Sequence, residues 1–158
     1  MDIKFINDKN RFLYRVSVII FNKELNKVLL FNVDNRDWYM LTGGKVQFGE
    51  TSETAIKREA QEELGYELND LSLVAISEEF ADAKGYHNHQ LNLIYKGVYD
   101  GEIKKDTFHG LDGDWTTYKW VNLNEIDKYD IFPNGIKKAI KDNSKIYHFI
   151  ADNEKNVK

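Results

Sequence analysis

The sequence predicts a domain of the mixed α/β class, in which one mixed sheet carries few helices. With 158 residues, the chain is long enough to bury a hydrophobic core of its own. Five or six segments rich in β-branched and aromatic residues are accompanied by few helical patterns, which are a central helix and, near the C-terminus, a short and a longer one. This order lacks the regular alternation of repeated βαβ units, so we expect an α+β or α/β arrangement over a single domain spanning residues 1–158.

The composition excludes several classes of protein. There is no cysteine, which rules out a disulfide framework, a zinc–thiolate site and a thiol nucleophile. A net charge of -4 disfavours binding of long nucleic acid through phosphate neutralisation. The polar first residues and the lack of a long apolar run argue against a signal peptide or a membrane span. We therefore expect a cytoplasmic protein with no membrane contact, and a homodimer is the prior expectation for its oligomeric state.

The chain before residue 50 predicts a hairpin followed by a glycine turn. The predicted strands cover residues 12–21, 27–33 and 45–48, and a short apolar run covers residues 38–41. Gly43 and Gly44 follow this run. Two adjacent glycines predict either a positive φ or a backbone that a neighbouring group must approach closely.

The segment 52–64 predicts the central helix. Thr51 can cap its N-terminus, and Gly65 is suited to end it in a left-handed conformation. The apolar stripe that would face the core consists of Ile56, Ala60 and Leu64.

Three glutamates of this helix have a spacing that folding does not require. Glu59, Glu62 and Glu63 stand at i, i+3 and i+4, so their side chains point roughly the same way. Like charges at this spacing repel, and the face lies beside the apolar stripe rather than opposite to it, where a solvated face is more usual. Clustered carboxylates without cysteine or histidine select a hard cation such as Mg²⁺, Mn²⁺ or Ca²⁺. Next to a glycine turn, such a cation suits phosphoryl chemistry.

The second half of the chain predicts three more strands, a long charged loop and two helices. The strands cover residues 71–80, 89–99 and 115–121, the loop 100–114, the helices 123–128 and 133–143, and a short apolar tail 146–150. Residues 81–88 predict a polar loop or hairpin end. We expect mobile termini over about residues 1–10 and 151–158.

The stretch from Gly44 to Tyr66 resembles the Nudix box, GX5EX7REUXEEXGU. Gly44, Glu50 and the run REAQEELG from Arg58 to Gly65 match all seven fixed residues. Ala60 and Tyr66 stand at positions that are usually larger or aliphatic, and both are packing positions. Weaker similarity to a MutT-like bacterial subgroup extends over most of residues 12–140.

The resemblance implies an α/β/α sandwich around a mixed sheet and hydrolysis of a nucleoside diphosphate linked to another group, X, with Mg²⁺ or Mn²⁺. The implied catalytic residues are Arg58, Glu59, Glu62 and Glu63, with Glu59 the first candidate for the general base. The implied metal ligands are Glu59, Glu62, Glu63, Glu50 and the carbonyl of Gly43 or Gly44. Arg58 would orient Glu59 or Glu62 through an ion pair instead of touching the substrate.

Residues outside the box are candidates for substrate contacts. On the late loop, Asp112 or Asp114 would supply an extra carboxylate, or would be solvated loop charges. Arg15 lies on the non-core face of the first strand, where it could meet a phosphate or a base, or could be a surface residue. Trp38 could stack on a base or belong to the core, and Asn134 could read a purine edge or cap the C-terminal helix.

Three functions follow from the resemblance. The first is hydrolysis of a small nucleotide derivative. The second is a nucleotide sensor with the same fold and no catalysis, which the intact charged cluster disfavours. The third is removal of pyrophosphate from RNA 5′ ends, for which Lys104 and Lys105 could supply a local basic patch. The identity of the substrate lies outside the box.

Overall fold

A computed structural model of the chain describes residues 1–152 as a mixed sheet with helices on both faces. Within this range the strands are β1 Lys4–Asn7, β2 Asn10–Asn22, β3 Lys27–Val33, β4 Trp38–Met40, β5 Thr42–Lys45, β6 Asn69–Ala83, β7 Tyr86–Tyr99, β8 Thr107–Gly110, β9 Gly113–Asn122, β10 Asp130–Phe132 and β11 Tyr147–Asp152. The helices are α1 Ser52–Leu64, a 3₁₀ helix Leu123–Lys128 and α2 Lys137–Lys141. Of the termini expected to be mobile, residues 4–7 form β1, and residues 153–158 lie outside the described residues.

Strand β2 is the centre of the sheet. It pairs antiparallel with β1, β3 and β5, and in parallel with β7 along its whole length. The main strand order is β10-β4-β3-β2-β7-β6-β11, with β9 beside β3 and β8 beside β9. Two further pairs, β4 with β10 and β6 with β11, are also parallel. The expected mixed sheet is therefore confirmed.

Alternate residues of β2 enter two separate cores because both faces of the sheet are covered. Val16 and Val18 pack in the cluster that contains α1, whereas Ile19 and Phe21 pack in the cluster that contains α2. The helices thus flank the sheet in an α/β/α arrangement. No helix within residues 1–152 is both long and apolar enough to cross a membrane.

Helix α1 begins and ends at the predicted residues. The side chain of Thr51 accepts a hydrogen bond from the backbone N–H of Thr54 at 3.1 Å, and Gly65 ends the helix with a φ of 67°. The predicted apolar stripe is buried. Local signals alone therefore account for this helix.

The adjacent glycines lie in a strand, so the predicted glycine turn is wrong. Gly43 and Gly44 belong to β5, opposite Ser17 and Val16 of β2, and neither has a positive φ. A Cβ atom on Gly43 would overlap the carbonyl oxygen of Val16. Close approach of a neighbouring group is thus the reason for glycine, and the strand predicted over residues 45–48 is displaced toward the N-terminus.

The second half of the chain contains more strand than the sequence predicts. Strands β6 and β7 continue to a tight turn at Lys84 and Gly85, whose φ angles of 53° and 80° suit a two-residue hairpin. Of the two alternatives predicted for residues 81–88, the hairpin end is therefore correct. The charged loop contains β8, and the apolar tail forms β11 beside β6. The last helix is short because the chain around Gly135, with a φ of 102°, is not helical.

Candidate active site

Helix α1 lies over β5, and Glu59 meets the sheet at Gly44. A Cβ atom on Gly44 would overlap the carboxylate of Glu59, which therefore rests directly against the strand backbone. The Glu59 side chain is only 13% exposed as a result. Glycine at this position is required because any side chain would displace the carboxylate.

Arg58 ties the glutamates to the segment before the helix. Its guanidinium has five N–H donors, and the described contacts use all of them. Nε donates to Glu50 at 3.2 Å, Nη1 to Glu59 at 2.9 Å and to Glu62 at 3.2 Å, and Nη2 to Glu50 at 2.8 Å and to the carbonyl of Lys45 at 3.1 Å. Arg58 thus lies against three carboxylates at once and has no donor left for a ligand.

Glu50 serves as the anchor of this arrangement. Both of its oxygens accept from Arg58, and one also accepts from the backbone N–H of Gln47 at 2.9 Å. These hydrogen bonds, with the Arg58 bond foremost, hold the pKa of Glu50 below its usual value. In this arrangement the Glu50 carboxylate holds Arg58.

The three predicted glutamates differ in their surroundings. Glu62 is 57% exposed, whereas Glu59 and Glu63 are partly buried. Burial raises the pKa of Glu59, and burial together with the charge of Glu59 raises the pKa of Glu63 to about 7. The Tyr118 hydroxyl donates to Oε2 of Glu63 at 3.2 Å. Sequence reasoning missed this tyrosine, because its contact with the helix depends on the distant strand β9.

Asp112 is the late-loop carboxylate nearer to this cluster. It lies in the turn between β8 and β9, and its charge contributes to the raised pKa of Glu63. Asp114 is exposed at the start of β9. A catalytic role for either residue stays a prediction.

Arg15 lies between the glutamates and a cavity. Its charge lowers the pKa of both Glu59 and Glu63, although burial outweighs this effect. Within residues 1–152, Arg15 has no hydrogen bond or ion pair to another side chain, and it lines a cavity of about 490 Å³ beside β2. A half-buried guanidinium without a protein partner is available to an anionic ligand.

The cavity beside β2 has an apolar wall and a polar wall. Trp38 and Phe132, whose rings meet edge to face at 5.4 Å, stand on the apolar side with Pro133. Asn134, the next residue, does not line the cavity; its side-chain amide donates to the carbonyl of Asp152 at 3.1 Å. It does not cap α2 either, since that helix is capped at Ile136.

The polar wall comes from β6 and β7, and sequence reasoning missed it. The buried carboxylate of Glu79 accepts from Ser77 at 2.6 Å, Asn92 at 2.8 Å and Gln90 at 3.2 Å, and Ser17 donates to Asn92 at 3.1 Å. A signal was present, because the polar residues of β7 recur at every second position, on one face of a strand.

The donor set at the glutamates fits a hard divalent cation. Among residues 1–152, no three histidine, cysteine, aspartate or glutamate side chains are arranged to hold a metal ion. Mg²⁺, however, takes only one or two protein carboxylates and completes its shell with water and substrate phosphates. Glu59 and Glu63 supply two partly buried carboxylates. Burial is the main reason why the pKa of each is raised, and the charge of Glu59 adds to the effect on Glu63; a nearby cation would favour the ionised form of both.

Comparison with known proteins identifies the family. The NUDIX domain model matches residues 11–142, which is most of the chain. The chain therefore belongs to the Nudix family, as the box resemblance implied, and it is a Nudix hydrolase acting on diphosphate bonds. Nudix hydrolases generally use divalent metals.

Solved structures confirm the fold. The chain is similar to the mutator protein MutT of Bacillus halodurans, with 22% identity and a TM-score of 0.66 over 87% of this chain and 89% of that one. It is also similar to a MutT structure from a study of the Aliivibrio salmonicida and Vibrio cholerae proteins, with 23% identity and a TM-score of 0.54 over 82% and 92% of the two chains.

Arg58→Lys should disrupt the site although it keeps the charge. One ammonium group cannot replace a planar fork that contacts Glu50, Glu59, Glu62 and a backbone carbonyl together. We expect kcat/KM for diphosphate hydrolysis to fall about 10–100-fold, the loss typical of residues that orient functional carboxylates through hydrogen bonds. Lys57→Gln is the matched control, since Lys57 is an exposed neighbour whose ion-pair partner within residues 1–152 is Glu53 alone. Equal activity of Arg58→Lys and wild type would contradict the prediction.

Removing the charge of Glu63 should stabilise the metal-free protein at high pH. The pKa of Glu63 rises from 4.5 to about 7 on folding, so between these values the folded protein binds more protons than the unfolded chain. The free energy of unfolding therefore falls as the pH rises through this window. With a chelator present, Glu63→Gln should melt at a higher temperature than wild type at about pH 8, and this advantage should shrink at about pH 5.

The control for this pH dependence is Glu62→Gln, because the Glu62 side chain is largely exposed. It should show no comparable gain at high pH. A Glu63→Gln protein whose melting temperature follows that of wild type at both pH values would show that Glu63 ionises normally in the folded state.

Proposed function

We propose that this protein hydrolyses the diphosphate bond of a small nucleotide derivative, with Mg²⁺ or Mn²⁺ held at the glutamate face of α1. One observation carries the proposal: the partly buried carboxylates of Glu59 and Glu63 stand beside Arg15, whose guanidinium is unpaired among the described residues and opens onto the cavity beside β2. An acidic wall that attracts a cation thus adjoins a basic group that attracts a phosphate. We also expect the protein to act in the cytoplasm, and a dimer stays an expectation.

The bound cation would neutralise the diphosphate and lower the pKa of a bound water. Glu59 and Glu63 would hold it, and the exposed Glu62 could join them; Glu50 and the Gly43 or Gly44 carbonyl remain candidate ligands. We assign the general base first to Glu59. Arg58 occupies its Oε1, and no described residue bonds its Oε2, which is therefore free to accept a proton.

The substrate is expected to extend from the glutamates into the cavity beside β2. Arg15 would donate to an oxygen of the diphosphate, in a charge-assisted hydrogen bond. Trp38 would pack against the nucleoside from the apolar wall. The buried amides and carboxylate on the opposite wall would supply donors and acceptors for the polar edge of the base or sugar.

A second candidate substrate is the 5′ end of an RNA. Lys104 and Lys105 line a second cleft together with Glu63 and the stacked rings of Tyr66 and Tyr99, which lie 3.8 Å apart. Neither lysine has an ion pair within residues 1–152. Aromatic rings beside basic side chains are the usual components of single-strand binding.

Glu59→Gln should abolish most turnover while the protein stays folded. Loss of a positioned general base typically costs about 10²–10⁴-fold, so we expect kcat to fall by at least about 10². The test is a panel of nucleoside triphosphates, nucleotide sugars, dinucleoside polyphosphates and 5′-triphosphorylated RNA, with Mg²⁺ or Mn²⁺ and identification of both products. Glu53→Gln, on the exposed side of the same helix, should stay within about twofold of wild type.

Two outcomes would contradict this assignment. Full activity of Glu59→Gln would remove Glu59 from the chemistry without affecting the family. If wild type binds nucleotides but releases no product from any member of the panel, the non-catalytic sensor is the better description.

Arg15→Gln should lower kcat/KM for the substrate. A charge-assisted hydrogen bond is worth about 1.5–3 kcal/mol, so its loss should lower kcat/KM about 10–100-fold. Lys23→Gln removes the same charge from the exposed β2–β3 turn and should leave kcat/KM unchanged. If the two variants behave alike, Arg15 does not contact the substrate.

A further inference from the structure

Tyr118 lies in the core between β9 and α1, and its ring is fixed from several sides. The side chain is 2% exposed. Its ring stacks on Phe108 of β8 at 5.5 Å between centroids and packs against Phe31 of β3 at 5.4 Å. A Cβ atom on Gly110 would come within 2.7 Å of the ring, so the β8 backbone also lies against it. The ring therefore has little freedom to move away from the helix.

The hydroxyl of this buried ring makes one hydrogen bond to the described residues. The hydroxyl donates to Oε2 of Glu63 at 3.2 Å, and no other hydrogen bond of this hydroxyl is found within residues 1–152. Burial and the nearby charge of Glu63 raise the pKa of Tyr118, so the phenol keeps its proton and acts as the donor. A hydroxyl buried among aromatic rings is costly unless it is bonded, and here the partner is a carboxylate of the glutamate face.

We propose that Tyr118 is a positioning residue for Glu63, and this rests on the proposed metal-dependent function. By binding Oε2, the hydroxyl restrains the carboxylate and leaves Oε1, which has no hydrogen bond within residues 1–152, available to hold an ion. Residues that hydrogen-bond a metal ligand in this way orient the ligand and tune the affinity of the site for the ion. Arg58 likewise donates to one carboxylate oxygen of Glu59, Oε1.

The alternative is a core tyrosine whose hydroxyl bonds the nearest acceptor without affecting the site. The two roles differ in what they predict for metal binding. A purely structural tyrosine would change the melting temperature and leave the affinity for the ion unaltered, whereas a positioning residue changes the affinity itself.

The test compares Tyr118→Phe with Tyr95→Phe. Each substitution removes one hydroxyl that hydrogen-bonds a residue of α1. The Tyr118 hydroxyl bonds Glu63 near the C-terminal end of the helix, and the Tyr95 hydroxyl bonds Ser52 at 2.8 Å at its N-terminal end. Mn²⁺ binding to the full chain, after chelator treatment, is measured from the electron paramagnetic resonance signal of free Mn²⁺. We expect Tyr118→Phe to weaken binding about 10-fold or more. Tyr95→Phe should remain within about twofold of wild type.

Kinetics give a second readout. Tyr118→Phe should lower kcat at saturating nucleotide and leave KM for the nucleotide nearly unchanged, since Glu63 lies outside the cavity beside β2. Melting temperatures of both variants, taken without metal, establish that each is folded. The inference is overturned if Tyr118→Phe binds Mn²⁺ as wild type does, or if both variants lose affinity equally. Wild type that binds no Mn²⁺ would overturn the proposed metal site and this inference with it.

Discussion

The site depends on the hydrogen bonds that the guanidinium of Arg58 makes to three carboxylates. Carboxylates at i and i+4 of one helix repel each other, and burial beside a sheet strengthens that repulsion. Arg58 contacts two of the three glutamates of the helix face, and Glu50 holds the arginine itself by two oxygens. Removing such a partner leaves buried charge uncompensated, which costs more than the pair contributes. The segment before α1, the strand β5 and the glutamate face are therefore held as a unit.

This arrangement also explains why catalysis and folding oppose each other here. Arg58 satisfies Glu59 and Glu62 only in part. Burial and the charge of Glu59 raise the pKa of Glu63 to about 7, and among residues 1–152 Glu63 has no ion pair that would lower it again. The partly buried carboxylates therefore carry an electrostatic cost, which a divalent ion bound as proposed would reduce. A fully neutralised cluster would be more stable and would bind the ion less well.

The sequence predicted correctly those features of the fold that depend on residues close together in the chain. The caps at Thr51 and Gly65 and the apolar period of α1 lie within a few residues of what they determine, so the helix bounds were predicted correctly. The strand placement of Gly43 depends on pairing with β2, far away in the chain, and was misread as a turn. The polar wall of the cavity was missed for the same reason, because the parallel pairing of β2 with β7 joins residues more than seventy positions apart. From the sequence alone, a polar face of a strand is interpreted as exposed to solvent, unless the neighbouring elements that cover it are known.

The same distinction separates reaction class from substrate. The groups proposed to act on a diphosphate are carried by one helix and the strand beneath it, so a short pattern with fixed spacing is enough to encode them. The groups that would select the rest of the substrate come from several strands, among them Arg15 on β2, Glu79 on β6 and Asn92 on β7. Their proximity is created by the sheet alone, and each can change without disturbing the Arg58 contacts. A single scaffold of this kind can therefore keep one chemistry while its substrate changes.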